Sequence, residues 1–414
     1  MTETPTGLLR RNRDFRNVWA ADALSTVGTR LSMLALPLLA LLTLDATPLE
    51  VALLRTLETL AWLVLGLVAG AWMDRIRCRG VLIAADLGRA AVLASIPIAY
   101  LAGVLTLTQL FVVSLLAGIG KVFFGVAATT YLPRLLPKED LVDANAKLAT
   151  NLSMAAVLTS GGGGFVIQWL TAPIAIAVDA ASFVWSALWL RGIRKVETVP
   201  RQDNPPHLRR DIAEGWRFVV GHPLLRALAG LSVCTVFFQA VHDAVWITFL
   251  VREFGLSAGV IGLLGMSGLL GAVLSGFVTS RIARRLGNVR AAVAAAVCFA
   301  VGFALFPFTL PGWGLSVAVV AGFMVSFSII TLSVMRSSIR QLLCPEHLYG
   351  RVGATMEFMI WGTMPLGSLA GGLIATVTDL RTTLWIVGAG TLLSLLWIVL
   401  SPLRTTREIE LAAV

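Results

Sequence analysis

The chain has 414 residues, of which 57% are hydrophobic and 14% are charged, and its mean hydropathy is +0.84. Soluble domains carry about 25% charged residues, so this composition excludes a water-soluble fold and indicates lipid as the solvent. The formal net charge is +10. Because the arginines lie in short connectors between apolar runs, the charge is typical of membrane topology, and we expect no nucleic-acid partner.

The first apolar run begins near Val18, after a polar and basic N-terminal segment. This run is longer than the core of a signal peptide, so we expect it to be retained as a membrane span. Apolar windows of about 20 residues recur along the chain. They predict an all-α membrane protein with twelve transmembrane helices, which begin near Val18, Leu49, Gly80, Thr108, Leu148, Pro173, Pro223, Ala258, Arg290, Gly314, Val352 and Thr382.

The connectors between these runs alternate in charge. One set is basic, as in Arg75, Arg77 and Arg79, and the other set is short and nearly free of lysine and arginine. The positive-inside rule therefore places both termini in the cytoplasm. Richness in alanine and glycine, together with the basic loops, favours a bacterial plasma (inner) membrane.

Three features of the first half of the chain return 206 to 208 residues later. Residues 70–79 return at 276–285, Pro137 returns at Pro345, and Gly163-Gly164 returns at Gly371-Gly372. This spacing predicts two six-helix bundles with parallel topology, a duplication typical of rocker-switch transporters. We place the bundles at residues 1–190 and 223–414.

The connector from residue 191 to residue 222 is long and basic. Its stretch from Arg209 to Val220 has helical apolar spacing at Ile212, Trp216, Val219 and Val220. This pattern predicts a cytoplasmic linker that contains an interfacial helix. The alternative is a plain linker.

Several segments resemble a known family. The Gly-x-x-x-Asp-Arg-x-x-x-Arg pattern of residues 70–79 resembles the loop signature of the major facilitator superfamily. Residues 132–145, 171–183 and 351–367 resemble the drug:proton antiporters typified by macrolide efflux proteins and the enterobactin exporter. The resemblance extends from about Phe15 to Arg404. It implies the major facilitator fold and a monomer.

The loop after the second span is the predicted gate. The resemblance implies that the Asp74 carboxylate pairs with arginines and holds the cytoplasmic gate closed. The second copy has Ser280 in place of Asp74, so its gate network should be weaker. The alternative is that these arginines only set topology. The predicted gating residues are Gly70, Asp74, Arg75, Arg77, Arg79, Asp86, Arg89, Arg281, Arg284 and Arg285.

Charged residues inside spans are costly and therefore indicate function. Glu58 lies one helical turn from Arg55 and can form an ion pair with it. Alternatively, it can pair with Arg30 of the first span, with Lys121 of the fourth span, or with both. Asp22 and Glu58 are the first choices for proton coupling, whereas Asp179 has a helix-start cap as its alternative role. The predicted coupling or substrate residues are Asp22, Arg30, Arg55, Glu58, Lys121, Asp179, Asp243, Arg336 and Glu357, with the last two as an ion pair.

Two further sets complete the predicted site. The fifth span carries a glycine-rich run that matches the antiporter motif region, Ser160, Gly161, Gly163 and Gly164; Ser160 replaces the usual proline, whereas the matching Pro365 is present. Residues suited to line a pocket for large apolar compounds are Phe237, Phe238, Gln239, Trp246 and Trp361. The alternative for the aromatic residues is packing or lipid contact.

The sequence has no Gly-x4-Gly-Lys-Ser/Thr phosphate loop and no HExxH pair. We therefore expect no ATPase or other enzyme activity, no metal and no cofactor. The predicted function is a secondary exporter of amphipathic small molecules, such as an antibiotic, a secondary metabolite or a siderophore, by proton antiport with alternating access. The alternatives are uptake or uniport, or a transport-inactive sensor or membrane-embedded biosynthetic protein.

Overall fold

The computed structural model describes residues 8–73, 76–197, 208–345 and 348–404. The secondary structure in these ranges is helical, and no strand occurs in them. The chain divides into two compact units. Unit 1 comprises Met1–Thr47 and Leu57–Pro206, and unit 2 comprises Pro48–Thr56 and His207–Val414.

Helices α2 to α8 carry the apolar runs of the first half, and α1 precedes them. The first long helix, α2, begins after Asn12, whose side chain accepts a hydrogen bond from the Phe15 N–H at 2.9 Å. This contact satisfies one of the free N–H groups of the first turn. The helices are α1 (Leu8–Arg11), α2 (Arg13–Thr43), α3 (Pro48–Met73), α4 (Cys78–Leu101), α5 (Leu107–Leu135), α6 (Leu141–Leu158), α7 (Gly164–Leu170) and α8 (Ala172–Arg191).

The glycine-rich run between α6 and α7 forms a π-helical turn, Thr159–Gly163. Glycine disfavours a regular α-helix, and single π turns inside helices are frequent at functional sites. Ser160 lies within this turn. A β-carbon at Gly163 would lie 3.0 Å from the Leu31 side chain, so this glycine allows the turn to approach α2 closely.

Helices α9 to α17 form the described part of the second half. Helix α9 lies within the long connector and buries Val219 against α14. Gly215 lies on the same face, where a β-carbon would collide with Thr355 and Arg351. Trp216 and Val220, which the sequence placed on the apolar face, are exposed. The helices are α9 (Leu208–Gly221), α10 (Pro223–Phe254), α11 (Ala258–Leu286), α12 (Asn288–Leu305), α13 (Leu315–Leu343), α14 (Tyr349–Trp361), α15 (Met364–Val377), α16 (Leu380–Ser394) and α17 (Leu396–Val399).

Ten helical segments of the described chain are long and apolar enough to cross a membrane. They confirm an integral membrane protein. The ten segments are α2, α4, α5, α8, α10, α11, α12 with the turn that follows it, α13, α14 with α15, and α16 with α17. The count of twelve spans stays a prediction.

Small residues bring α11 and α13 together in unit 2. A β-carbon at Gly268 would lie 2.7 Å from the Ser326 hydroxyl. On the same two helices, the hydroxyls of Ser275, Thr279 and Thr331 lie 2.9–3.0 Å from one another, and all three side chains are buried. We call these three residues the hydroxyl triangle. Mutual hydrogen bonding satisfies polar groups that the membrane interior would otherwise leave unpaired.

Candidate functional site

A small cavity in unit 1 brings together charged side chains from four helices. Its volume is about 40 Å³, and we call it the charged cavity. Four ionisable groups face it, and hydroxyl and apolar groups complete the wall. The lining residues are Thr29, Ser32, Met33, Leu36, Glu58, Arg89, Leu93, Ser114, Ala117, Lys121 and Asp179.

Glu58 of α3 and Lys121 of α5 form an ion pair in this cavity. The Lys121 Nζ lies 2.7 Å from the Glu58 Oε1, and the side chains are 36% and 21% exposed. The structure thus joins Glu58 to Lys121, one of the three cations that the sequence analysis considered as its partners. Arg30 lies on α2, and its buried Nε has no hydrogen-bond partner among the described residues. Arg55 lies on α3 in the segment that belongs to unit 2.

Arg89 of α4 is held inside the helical core of unit 1. Its guanidinium lies 3.8 Å from the centre of the Phe183 ring, and its Nη2 donates to the Thr29 Oγ1 at 3.3 Å. The cation–π contact and the hydrogen bond replace part of the water that a buried cation loses. The sequence had assigned Arg89 to the loop network, but its described contacts place it in the charged cavity.

Two buried carboxylates accompany Arg89. Asp179 is 1% exposed and lies well inside α8, whose N-cap is Thr171, so the alternative role as a helix-start cap is wrong. Asp86 is fully buried on α4 and interacts electrostatically with both Arg89 and Asp179. A carboxylate–arginine–carboxylate cluster in a membrane interior is costly unless its charges compensate one another.

Three glycines that sequence reasoning missed allow close packing around the charged cavity. A β-carbon at Gly28 would lie 2.5 Å from the Asp179 Oδ1, and one at Gly120 would lie 2.6 Å from the Arg89 Cγ. A β-carbon at Gly118 would overlap the backbone of Glu58. Small residues within the apolar spans are the signal that could have pointed to these positions.

Asp22 lies in a separate contact on α2. It accepts a hydrogen bond from the Asn151 Nδ2 of α6 at 2.9 Å and one from the Thr26 hydroxyl at 3.4 Å. Asn151 is 3% exposed and was not predicted as a site residue. The described partners of Asp22 are neutral, whereas the Glu58 carboxylate contacts the Lys121 cation.

A buried carboxylate ties together the basic end of unit 1. Glu197 accepts hydrogen bonds from the backbone N–H groups of Cys78 at 3.0 Å and Arg79 at 3.1 Å, and from the Arg134 Nη1 at 2.7 Å. Arg134 also donates to the Met73 carbonyl oxygen at 3.2 Å. Burial raises the pKa of the Glu197 carboxyl, but these hydrogen bonds outweigh burial and hold the pKa below its ordinary value. We call this cluster the Glu197 clasp.

The structure describes some of the predicted gating residues and not others. Asp74 and Arg75 lie outside the described residues, and Gly70 lies on α3, where its surroundings are not described. Arg77 is the exposed N-cap residue of α4, and Arg79 donates to the carbonyl oxygens of Leu190 at 3.1 Å and Arg191 at 2.7 Å. The second-copy arginines, Arg281, Arg284 and Arg285, are exposed at the end of α11.

Three of the predicted coupling or substrate residues in unit 2 have described partners. The Arg336 Nη2 lies 3.7 Å from the Glu357 Oε1, the pair that the sequence predicted, and the Trp361 Nε1 donates to the Glu357 Oε2 at 2.6 Å. The Asp243 Oδ1 lies 3.1 Å from the His242 Nδ1. The Arg336 side chain is 15% exposed and the Glu357 side chain 45%.

The described contacts of the predicted aromatic residues differ from one another. Trp246 packs in an apolar cluster and stacks on the His242 ring. Phe238 packs edge-on to Phe237 and lines a cavity of unit 2. Pro365 is buried in the first turn of α15.

The sequence model of the Major Facilitator Superfamily matches residues 18–362 and 244–413. The chain is 27% identical over 398 residues to the multidrug efflux pump Tap of Mycolicibacterium fortuitum, a match that covers 93% of this chain and 94% of the relative. It is also 27% identical over 253 residues to the class C tetracycline resistance protein of Escherichia coli, with coverage of 59% and 61%.

Solved structures share the fold. A bacterial homologue of the iron transporter ferroportin superimposes with a TM-score of 0.76 at 17% identity, covering 95% of this chain and 99% of that chain. The nucleoside transporter NupG superimposes with a TM-score of 0.74 at 13% identity, covering 93% and 98%. At these identities the likeness concerns the fold alone.

Proposed function

The chain belongs to the Major Facilitator Superfamily, and we propose on this basis that it is a secondary exporter that moves amphipathic small molecules outward as protons move inward. The proposal includes twelve spans in two six-helix bundles, a bacterial plasma membrane with both termini in the cytoplasm, and a monomer. Alternating access of the two bundles would expose a midplane site to each side in turn. The protein would work without a cofactor and without enzymatic chemistry.

The observation that carries the proposal is the charged cavity. Glu58, Lys121, Arg89 and Asp179 line one cavity of about 40 Å³ within apolar helices. Charged groups in a membrane interior are expensive, and they mark ion or substrate pathways by default. A passive scaffold has no need for four of them around one cavity, whereas proton-coupled transport needs a carboxylate whose charge is conditional.

Glu58 is the carboxylate whose charge would depend on its partner, Lys121. Its 2.7 Å contact keeps opposite charges together. When a proton binds to Glu58, the attraction ends and the Lys121 ammonium is left free to meet an anionic or polar group in the cavity. Conversely, a substrate group that engages Lys121 releases the carboxylate to take up a proton. Substrate and proton occupancy are thereby linked through one ion pair.

The substrate class follows from the lining. Met33, Leu36 and Leu93 offer apolar contact, and the ionisable groups offer polar contact. Such a wall suits an amphipathic compound once alternating access enlarges the cavity, because its volume of about 40 Å³ is below the range of about 300–1,000 Å³ typical of small-molecule sites. The efflux pump and the tetracycline resistance protein among the relatives support an antibiotic or another secondary metabolite, and a siderophore remains in the panel to be tested.

Proton flux in energised everted membrane vesicles tests the proposal. A pH-sensitive dye reports the proton gradient while macrolides, tetracyclines, other hydrophobic antibiotics and a catecholate siderophore are added in turn. We expect at least one compound to dissipate the gradient with the unchanged protein and not with Glu58→Gln or Lys121→Met. Asp143→Asn is the matched control, because this carboxylate is half exposed and lies outside the charged cavity.

The outcomes separate the alternatives. A gradient that responds to a compound equally in Glu58→Gln would show that this pair does not couple transport. The Asp22→Asn variant then asks whether the Asp22–Asn151 contact couples instead. If no compound moves protons while the protein is folded and abundant, uptake, uniport or a transport-inactive role replaces proton-driven export.

A further inference from the structure

Unit 2 contains a second cavity that the proposed export does not use. It lies between the first half of α10 and the end of α16 with α17, and its volume is about 420 Å³. This volume lies within the range of about 300–1,000 Å³ typical of small-molecule sites. We call it the lateral groove. Its lining residues are Pro223, Arg226, Ala227, Cys234, Phe238, Gly390, Leu393, Ser394, Leu396, Trp397, Leu400, Ser401 and Pro402.

Two contacts between a glycine and an aromatic ring build the walls of the lateral groove. A β-carbon at Gly230 would lie 2.5–2.7 Å from ring atoms of Trp397, and one at Gly390 would overlap the Phe238 ring. The two rings therefore lie directly on the helix backbones. Because both rings are fixed by packing, the groove is part of the fold rather than a gap between loose side chains.

The open side of the groove is apolar. Leu393, Leu396 and Leu400 line it, and their exposed fractions are 63%, 48% and 81%. Helices α10 and α16 with α17 belong to the segments that can cross a membrane. In a bilayer these leucines contact lipid chains, so the groove opens sideways to lipid.

One end of the groove is basic. Arg226 lies in the first turn of α10, is exposed, and donates to the Val220 carbonyl oxygen at 3.4 Å. Arg404 is exposed and follows the lining residue Pro402 by two positions. Among the described residues that line the groove, Arg226 carries the charge and none is acidic.

We propose that the lateral groove binds an anionic phospholipid. One acyl chain lies between Phe238 and Trp397, and the phosphate is held at Arg226 with Arg404 beside it. Basic pockets between transmembrane helices recognise anionic head groups, and guanidinium groups form strong charge-assisted hydrogen bonds to phosphate. The apolar wall explains why a lipid, rather than a free anion, occupies the site.

Quenching of tryptophan fluorescence by lipids with brominated acyl chains tests this site. The protein is reconstituted with brominated phosphatidylglycerol or brominated phosphatidylcholine, and the Trp397 signal is obtained as the difference between the unchanged protein and Trp397→Phe. We expect apparent binding of phosphatidylglycerol at Trp397 to be about fivefold tighter than that of phosphatidylcholine, the effect of one arginine near an anionic lipid. Arg226→Gln should remove this preference.

Matched variants make the test specific. Trp385 lies on α16, is 45% exposed and does not line the groove, so the Trp385→Phe difference should show no preference between the two lipids. Arg290→Gln removes another exposed arginine outside the groove and should leave the preference at Trp397 intact.

Three results would overturn the proposal. They are equal quenching of Trp397 by both lipids, which would mean ordinary bilayer contact, no quenching by either, or an Arg290→Gln effect as large as that of Arg226→Gln. Native mass spectrometry of the unchanged protein in a mixture of the two lipids gives the same comparison without any variant. Retention of both lipids in equal amounts there also refutes the site.

Discussion

The two units bury different chemistry in their interiors. Unit 1 encloses Arg89 with the carboxylates of Asp86 and Asp179, all at most 8% exposed. In unit 2 the hydroxyl triangle occupies the crossing of α11 and α13, and the described Arg336–Glu357 pair leaves its carboxylate 45% exposed. Buried charge is more sensitive to solvent and to proton binding than neutral hydroxyls are. The described interiors of the two units therefore differ in charge, and this difference is why we assign proton coupling to unit 1.

The basic ends of the units differ in the same way. The Glu197 clasp of unit 1 joins Glu197 and Arg134, whose side chains are 3% and 11% exposed. In unit 2 Arg351 pairs with Glu214, and both side chains are more than 40% exposed. Burial decides how much each contact contributes, because water screens the exposed pair.

The largest effect is expected for Glu197→Ala. Removing this carboxylate leaves the Arg134 cation buried and two backbone N–H groups without their acceptor, so the unfolding free energy should fall by about 3 kcal/mol. The matched variant Glu214→Ala in unit 2 should cost less than about 1 kcal/mol. Thermal unfolding of the two purified variants measures both changes. Equal losses would refute the contrast between the two ends.

A close second is Gly28→Ala in the charged cavity. The added methyl group would lie 2.5 Å from the Asp179 Oδ1 and 3.0 Å from the Asp179 Cα, so α2 and α8 must separate. We expect a loss of about 1–3 kcal/mol together with loss of proton-driven transport. Gly88→Ala is the control, because a β-carbon there meets no atom within 4 Å. Chemical denaturation and vesicle assays measure the two properties; undisturbed transport in Gly28→Ala would mean that close packing at Asp179 is dispensable.

Thr331→Val tests the neutral interior of unit 2. The substitution removes a hydroxyl that lies 2.9 Å from Ser275 and 3.0 Å from Thr279, so the protein should lose about 1 kcal/mol of stability. Transport should continue, since no charge changes. The control Thr376→Val removes an exposed hydroxyl on α15 and should leave the melting temperature within error. A transport defect in Thr331→Val would break the proposed division of roles between the units.

The smallest expected effect is a pH dependence of stability that arises from the Glu197 clasp of unit 1. Because the pKa of Glu197 is lowered on folding, the unfolded chain binds the proton first as the pH falls. The clasp therefore stabilises the protein at pH values above 4.5, the ordinary pKa of a glutamate. This stabilisation is lost as the pH falls through the lower pKa that Glu197 has in the folded chain. The difference in melting temperature between the unchanged protein and Glu197→Gln should shrink below pH 4.5. A difference that stays constant from pH 7 to acid would exclude this origin.

Hydropathy determined that this chain is an all-helical membrane protein, because long apolar runs have one stable solution in lipid. The loop and span motifs identified the superfamily, and the intramembrane charges pointed to Glu58, Lys121 and Asp179 as candidate coupling or substrate residues. These inferences depend on local composition and spacing, which a sequence displays directly.

Only the tertiary structure decided which of these residues meet. Glu58 bonds to Lys121, 63 positions away, and Arg89 lies on the Phe183 ring rather than in the loop network that the sequence had assigned to it. Gly28, Gly118 and Gly120 became site residues only when the helices that approach them were seen. Helix rotation and crossing determine such contacts, and both depend on close packing between distant segments, which no local pattern of one helix records.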